Sequence, residues 1–356
     1  MTTDATRDSR AIATLTGVRG FAALWVVLYH LRIVFFQAYP EWTALNRIIQ
    51  TGYLGLDIFA LLSGFIIAYT YCERLQSPSW PSTRRYLWLR FVRTYPLHVF
   101  ILGLFVSVFV LQRGWHSIVV IPYDASFLRQ LFLLNGFGLE DRWEWNVVTW
   151  SLSSEWVCYL AFPLIAPHLM RIKSGVVAAV LAALTLVTTA YGLQMVAHED
   201  FNAGLDWGLL RIGGEFFTGC WLYRIHASGF TARWPMGWLG LLAIGVSFTV
   251  LLYTDLIPIA IAGFAAVVLA LAHNQAPLSL LFANRLVIYL GEISYSIYML
   301  HWLVVFNIDK LGLGGVPLLW LPAVLVGIIL IGSALTYHLV EQTTRRSLRD
   351  FSLISR

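Results

Sequence analysis

The chain is poor in charge. Asp, Glu, Lys and Arg make up 12% of its 356 residues, about half of the ~25% carried by an ordinary soluble domain. With 58% hydrophobic residues and a mean hydropathy of +0.71, a protein with a large water-soluble core is excluded. No polar interval between the apolar stretches has room for a separate soluble domain of ~100 residues. Cysteine is scarce too. Cys72, Cys158 and Cys220 are scattered in or beside apolar segments, without metal or redox spacing, and read as ordinary buried residues. The histidines lack ligand spacing, so no metal is expected. The first fifteen residues, MTTDATRDSRAIATL, lack a short apolar run with a cleavage site; they read as a polar tail, not a cleaved leader. Internal repeats and low-complexity tracts are absent, which counts against the repeat-built transporter folds. The net charge of +5 would point to nucleic acid in a soluble protein. Here it is better assigned to loops facing anionic lipid, and no nucleic-acid partner is expected.

What is present is a series of apolar windows. Windows of about 17–25 residues mark membrane helices, and ten are read, at about 17–36, 53–72, 95–112, 150–170, 175–196, 207–224, 236–254, 257–273, 286–307 and 318–340. The fourth and sixth carry the most polar residues. The expected fold is all-α: a polytopic membrane helix bundle of about ten transmembrane helices, with a tail at 1–16, a membrane domain at 17–340 and a second tail at 341–356. An even number of spans puts both termini on one side. With that side cytoplasmic, the inner segments hold sixteen Lys and Arg residues against five outside, with Arg19, Arg32 and Arg211 inside spans. The bias favours cytoplasmic termini. The stretch from about 113 to 149 then faces outward, with Glu140, Asp141, Trp143, Glu144 and Trp145 near its end. Its tryptophans read as interfacial anchors, with stacking on sugars as the other reading.

Five segments break the apolar pattern. In GVRGFAALWVVLYHLRIVFF, ten residues separate Arg19 from His30, roughly 16 Å along a helix axis. An arginine at one face would put the histidine near mid-membrane, where ionisable groups mark substrate or proton paths. His30 suits general-base work; a histidine bonded to a neighbouring helix is the plainer alternative. In GYLGLDIFALLSGFIIA, Asp57 is placed to orient an imidazole or to pair with an arginine such as Arg32, and Ser63-Gly64 permits close helix approach. In RRYLWLRFVRTYP, a basic loop before the third span, Arg90 and Arg93 share a helix face at i,i+3. They are suited to clamping phosphates, or to anchoring on the cytoplasmic face. In TWSLSSEWVCYLAFP, Glu155 lies about one turn inside the fourth span, costly unless paired or protonated. In GEISYSIYMLHW, Glu292, Ser294, Tyr295, Ser296, Tyr298 and His301 form a polar stripe expected to face the bundle interior. Arg211 and Glu215, at i,i+4, read as a structural pair.

Taken in order, these segments resemble the acyltransferase family 3 membrane proteins, which acylate surface polysaccharides, lipopolysaccharide and related glycans. The resemblance spans residues 17 to about 302. One departure is Gly-Leu-Asp-Ile-Phe-Ala at Asp57, where a Val-Asp-Phe-Phe type is more usual. Some relatives carry a fused extracytoplasmic domain, and this chain is expected to act alone or with a separate partner. The resemblance implies an integral O-acyltransferase of the bacterial cytoplasmic (inner) membrane. Its donor would be acyl-CoA, by default acetyl-CoA, from the cytoplasm. Its acceptor would be a hydroxyl of a glycan or lipid-linked sugar, with membrane lipid around it. It implies His30 as base or acyl-carrying nucleophile, with Asp57, Glu155 and His301 in the catalytic set and Arg19, Arg90, Arg93 and Ser63 at the donor. The competing class is a transporter or exporter of a small or lipid-linked solute. It shares the spans and intramembrane charges but does not need five segments in order.

Overall fold

The computed structural model describes residues 2–139, 145–197 and 207–349. Among them the regular structure is helical: α1 Thr2–His30, α2 Arg32–Ala38, α3 Thr43–Gln50, α4 Gly55–Tyr71, α5 Trp80–Arg113, α6 Ala125–Leu131, α7 Trp150–Arg171, α8 Gly175–Ala197, α9 Gly208–Ala227, α10 Met236–Tyr253, α11 Ile257–Ala272, α12 Leu278–Phe282, α13 Arg285–Glu292, α14 Ser294–Phe306, α15 Leu321–Thr336 and α16 Gln342–Arg349. Short 3-10 turns precede α4 and α7 and fill the stretch after α5.

Each apolar window falls on a helix or a pair of helices. By length and composition, five helices among the described residues suffice to cross a membrane, or up to seven if each bent pair is one span; α11 is a shorter apolar helix. Two windows are broken where hydropathy gives no sign of it. The first bends by 72° between α1 and α2, leaving His30 as the last residue of α1. The ninth bends by 63° between α13 and α14. That second bend splits the expected polar stripe: Ser294, Ser296, Tyr298 and His301 are buried on α14, whereas Glu292, at the end of α13, is exposed.

The basic segment is not a loop. Ser79 caps α5 in reciprocal bonds with Ser82, and Pro81 lies in the first turn. Both favour helix initiation, so Arg84, Arg85, Arg90 and Arg93 ride on the helix that continues through Pro96 to Arg113. At about 1.5 Å per residue, the 34 residues span roughly 50 Å, well beyond a hydrocarbon core of ~30 Å. The expected second tail also begins differently. One π-helical turn, Tyr337–Glu341, joins α15 to α16, and Glu341 is buried inside the bundle. Of the acidic and aromatic cluster near residue 140, Glu140, Asp141, Trp143 and Glu144 lie outside the described residues, as does His198. Trp145 is buried against Phe109 and Phe127 and is not open to a sugar.

Helices α1, α4, α7, α9 and α11 enclose the largest apolar core, a second lies between α4, α5 and α14, and a third between α1, α14 and α15. Crossing α4 on α9 depends on glycine. A Cβ at Gly64 would meet the Phe216 carbonyl, and one at Gly219 the Leu61 carbonyl, both backbone atoms that cannot swing aside. The close approach expected at Ser63-Gly64 is thus present, as small residues allow in membrane bundles. It brings Asp57 of α4 to Arg211 of α9. Arg211 Nε donates to Asp57 Oδ1 at 3.1 Å, and Nη2 donates to Asp57 Oδ2 and to the Tyr53 carbonyl. Glu215 lies 4.0 Å from Arg211 Nε, and all three charged side chains are buried.

Two stability outcomes follow. Asp57→Ala strands the Arg211 cation and is expected to cost about 3–5 kcal/mol, read as unfolding in detergent micelles, whereas pairing it with Arg211→Leu recovers part of the loss. Gly219→Val forces the two backbones apart at about 1–3 kcal/mol, while Gly213→Ala, whose Cβ meets nothing within 4 Å, leaves the melting curve unchanged.

Candidate active site

Six helices, α1, α4, α5, α7, α9 and α14, converge on a cleft with about 890 Å³ of empty volume, including its open mouth. It is lined by Arg19 of α1, Ser63 of α4, Arg90, Arg93 and Thr94 of α5, Glu155 and Tyr159 of α7, and Tyr295 and Tyr298 of α14. The four residues expected at a donor, Arg19, Arg90, Arg93 and Ser63, therefore share one cleft, although they come from three distant segments. The i,i+3 spacing of Arg90 and Arg93 puts both on the face of α5 turned to it.

The charges are unevenly matched. Glu155 is engaged: Ser63 Oγ donates to Oε1 and lies 3.3 Å from the Tyr159 hydroxyl. Arg93 Nη1 donates to Glu341, a carboxylate that sequence reasoning missed by assigning it to a tail. Arg90 Nη2 donates to the Tyr71 hydroxyl at 2.9 Å. The Nε groups of Arg19 and Arg90 are buried and have no partner among the described residues. The Arg19 guanidinium lies 5.8 Å from the Phe59 ring centroid, a cation–π contact that satisfies no N–H. Buried donors left unpaired are costly, and each asks for an explanation. An anionic ligand in the cleft would supply one.

The histidines lie apart from the cleft lining. His30 ends α1, and His301 comes from α14; His301 Nε2 is 3.2 Å from His30 Nδ1. The protonation pattern follows from the carbonyls. His301 Nδ1 is 2.6 Å from the Tyr298 carbonyl, and His30 Nδ1 is 3.0 Å from the Val26 carbonyl. A carbonyl oxygen only accepts, so in the neutral rings both Nδ1 atoms carry hydrogen. The His30 hydrogen is shared between Val26 and His301 Nε2. That leaves His30 Nε2 as a bare lone pair, with no hydrogen-bond partner among the described residues. Trp302 packs edge-on to the His30 ring at 5.2 Å, and Tyr29 does so at 5.0 Å.

Two expectations about carboxylates need correction. Asp57 does not orient an imidazole and does not pair with Arg32. It is committed to Arg211, 154 positions away, which reaches it across the glycine-mediated crossing. Glu155 holds Ser63 rather than a histidine tautomer. Arg32, the first residue of α2, instead turns back onto the end of α1, donating to the Tyr29 carbonyl and stacking on that ring. Of the remaining histidines, His98 is buried with Nε2 against the Gln130 carbonyl at 2.9 Å, and His273 Nε2 lies 2.9 Å from Thr231 Oγ1; both are structural. The three cysteines are buried and free.

Comparison with known proteins finds several chains similar to this one. Acyltransferase MdmB of Streptomyces mycarofaciens is 27% identical over 330 residues, covering 83% of this chain and 79% of that protein. YrhL of Bacillus subtilis, a candidate peptidoglycan O-acetyltransferase, is 23% identical over 98% of this chain, which spans 57% of it. O-acetyltransferase OatA of Staphylococcus aureus is 24% identical over 200 residues, 53% of this chain and 30% of that protein. No solved structure matches. The model of one family, described as an acyltransferase domain, matches residues 12–338, nearly the whole bundle that carries the arginine cleft and the histidine pair, and the chain belongs to that family.

Proposed function

We propose that this multi-pass membrane acyltransferase is an O-acyltransferase. It takes an acyl group, by default acetyl, from acyl-CoA held in the arginine cleft and delivers it to a sugar hydroxyl of a cell-envelope glycan or lipid-linked saccharide at the histidine pair. The observation that carries this reading is the joint presence of unpaired buried Arg19 and Arg90 donors in one cleft and a fixed, partner-free His30 Nε2 at the end of the helix that carries Arg19. The names of the relatives support the O-acetyl direction, and that of YrhL supports a glycan acceptor. The excess of Lys and Arg at the α5 end favours that end as cytoplasmic, which is where CoA is available, with both termini on the same side of a bacterial inner membrane.

Each residue has a part in this scheme. Arg19, Arg90 and Arg93 hold the phosphates of the donor, as guanidinium forks suit that geometry. Ser63 and Glu155 fix the cleft wall behind them. Bound there, the donor supplies a thioester whose carbonyl carbon accepts an oxygen nucleophile and whose thiolate leaves. His30 Nε2 takes the proton from the acceptor hydroxyl as the new C–O bond forms. His301 Nε2 accepts from His30 Nδ1 and holds the ring in the tautomer that leaves Nε2 open. The separation of the stations, about 16 Å along α1, lets the acyl end of a long donor reach the histidines while its phosphates stay at the arginines.

The first test is transfer of labelled acetyl from acetyl-CoA by purified protein in liposomes. His30→Ala is expected to lose ~10²–10⁴-fold in turnover, the usual worth of a general base, with an unchanged melting curve. Full turnover by a folded His30→Ala protein would remove the base assignment, and absence of any CoA binding by the wild type would favour a solute exporter. Arg90→Ala is expected to raise the donor KM by roughly 10–100-fold, the value of a lost charge-assisted bond, while the acceptor KM stays put.

A further inference from the structure

The residue that the proposed chemistry leaves unused is Glu341. It is 1% exposed, it stands at the end of the π-helical turn, and it is bonded from two other helices. Arg93 Nη1 of α5 donates to its Oε1, Ser296 Oγ of α14 donates to its Oε2 at 2.9 Å, and Arg345 Nη1 of α16 approaches Oε1 at 3.7 Å. A π turn holds one residue more than an α turn and rotates everything beyond it by about 100°. Such turns recur at functional sites. Here the turn brings a carboxylate into the bundle, where a helix of ordinary pitch would aim that position elsewhere. The α16 segment is held in place by Trp88 Nε1 of α5, which donates to the Leu348 carbonyl at 3.0 Å.

Arg93 needs such a partner. It lines the cleft together with Arg19 and Arg90, and Arg345 is close behind it. Four like charges around one cleft repel one another, and a four-carbon side chain with no anchor would swing away. Glu341 fastens one edge of the Arg93 guanidinium, and the Tyr295 ring lies 5.6 Å from its other side. The rest of the fork is left toward the cleft. We infer that Glu341 is a positioning residue: it holds the Arg93 guanidinium in the orientation that receives an anionic phosphate of the donor. This rests on the reading of the cleft as the acyl-CoA site.

The sign of the effect is the test, because a carboxylate near an anion site could act in either direction. If Glu341 orients Arg93, removing its charge weakens donor binding. If it merely competes with the phosphate for Arg93, removing it tightens binding. The experiment measures the Kd of CoA for the full chain in nanodiscs. In Glu341→Gln the Kd is expected to rise roughly tenfold, the worth of a charge-assisted bond. In Ser296→Ala, which frees Oε2 while keeping the charge, it rises less but in the same direction. A purely structural role would not produce the next result: in an Arg93→Gln background, adding Glu341→Gln changes the Kd by no more than about twofold, since residues acting through one another are not additive. Unchanged or tighter binding in both Glu341→Gln and Ser296→Ala, with melting curves like the wild type, overturns the inference while leaving the donor site intact. Failure of the wild type to bind CoA overturns the donor reading, and this inference with it.

Discussion

Charge inside an apolar bundle must be matched, and the arrangement of this protein follows from how that demand is met. Asp57 and Arg211 satisfy each other across the α4–α9 crossing, and the crossing is close enough only because Gly64 and Gly219 let backbone meet backbone. Arg93 is matched by Glu341 and Ser63 by Glu155. Arg19 and Arg90 are left with N–H groups unspent. Arg211 also keeps one N–H without a partner, but its guanidinium lies against the Asp57 and Glu215 carboxylates, whereas Arg19 and Arg90 line the open cleft. Interior polar groups in membrane proteins are retained where they meet a ligand, an ion or each other, and the first of these fits a cleft with an open mouth.

The same accounting separates two kinds of buried acid that look alike in one dimension. Asp57 lies in a motif-rich segment whose pattern suits either a histidine or an arginine partner. Its contacts make it a clamp between helices. Glu341 lies in a polar stretch after the last apolar window and was read as tail. Its contacts place it behind the cleft. The difference lies in partners 154 and 248 positions away, and no local pattern encodes those. By contrast, Arg90 and Arg93 share a face because they are three residues apart on a helix, and that spacing was enough to read their common direction.

Hydropathy windows found the apolar segments because transfer to hydrocarbon is a property of composition. They could not find the breaks at Leu31 and Ile293, because a change of axis direction costs no apolar area. Nor could they set the start of α5. Four arginines lowered the hydropathy, yet arginine is a good helix former, and the Ser79 cap begins the helix well before the apolar stretch. The clustering of Arg19, Ser63, Arg90, Arg93 and Glu155 was legible only as separate segments of unusual polarity, and their meeting in one cleft needed the packing of α1, α4, α5 and α7.

Arg19 and His30 stand on one uninterrupted helix, which ties the cleft to the histidine pair through a single element. The gaps between helices can drift by tenths of an ångström as side chains change and cores repack. The interval along α1 cannot drift, because it is counted in residues: each one added or removed shifts the histidine by about 1.5 Å and swings it by about 100°. If the donor lies as proposed, the span between its phosphate end and its reacting end is therefore set in whole steps, none of them small enough to be absorbed, while the width of the cleft remains open to gradual adjustment. Variation among proteins built on this plan is accordingly expected in the walls of the cleft, with the eleven-residue register of the strut held constant.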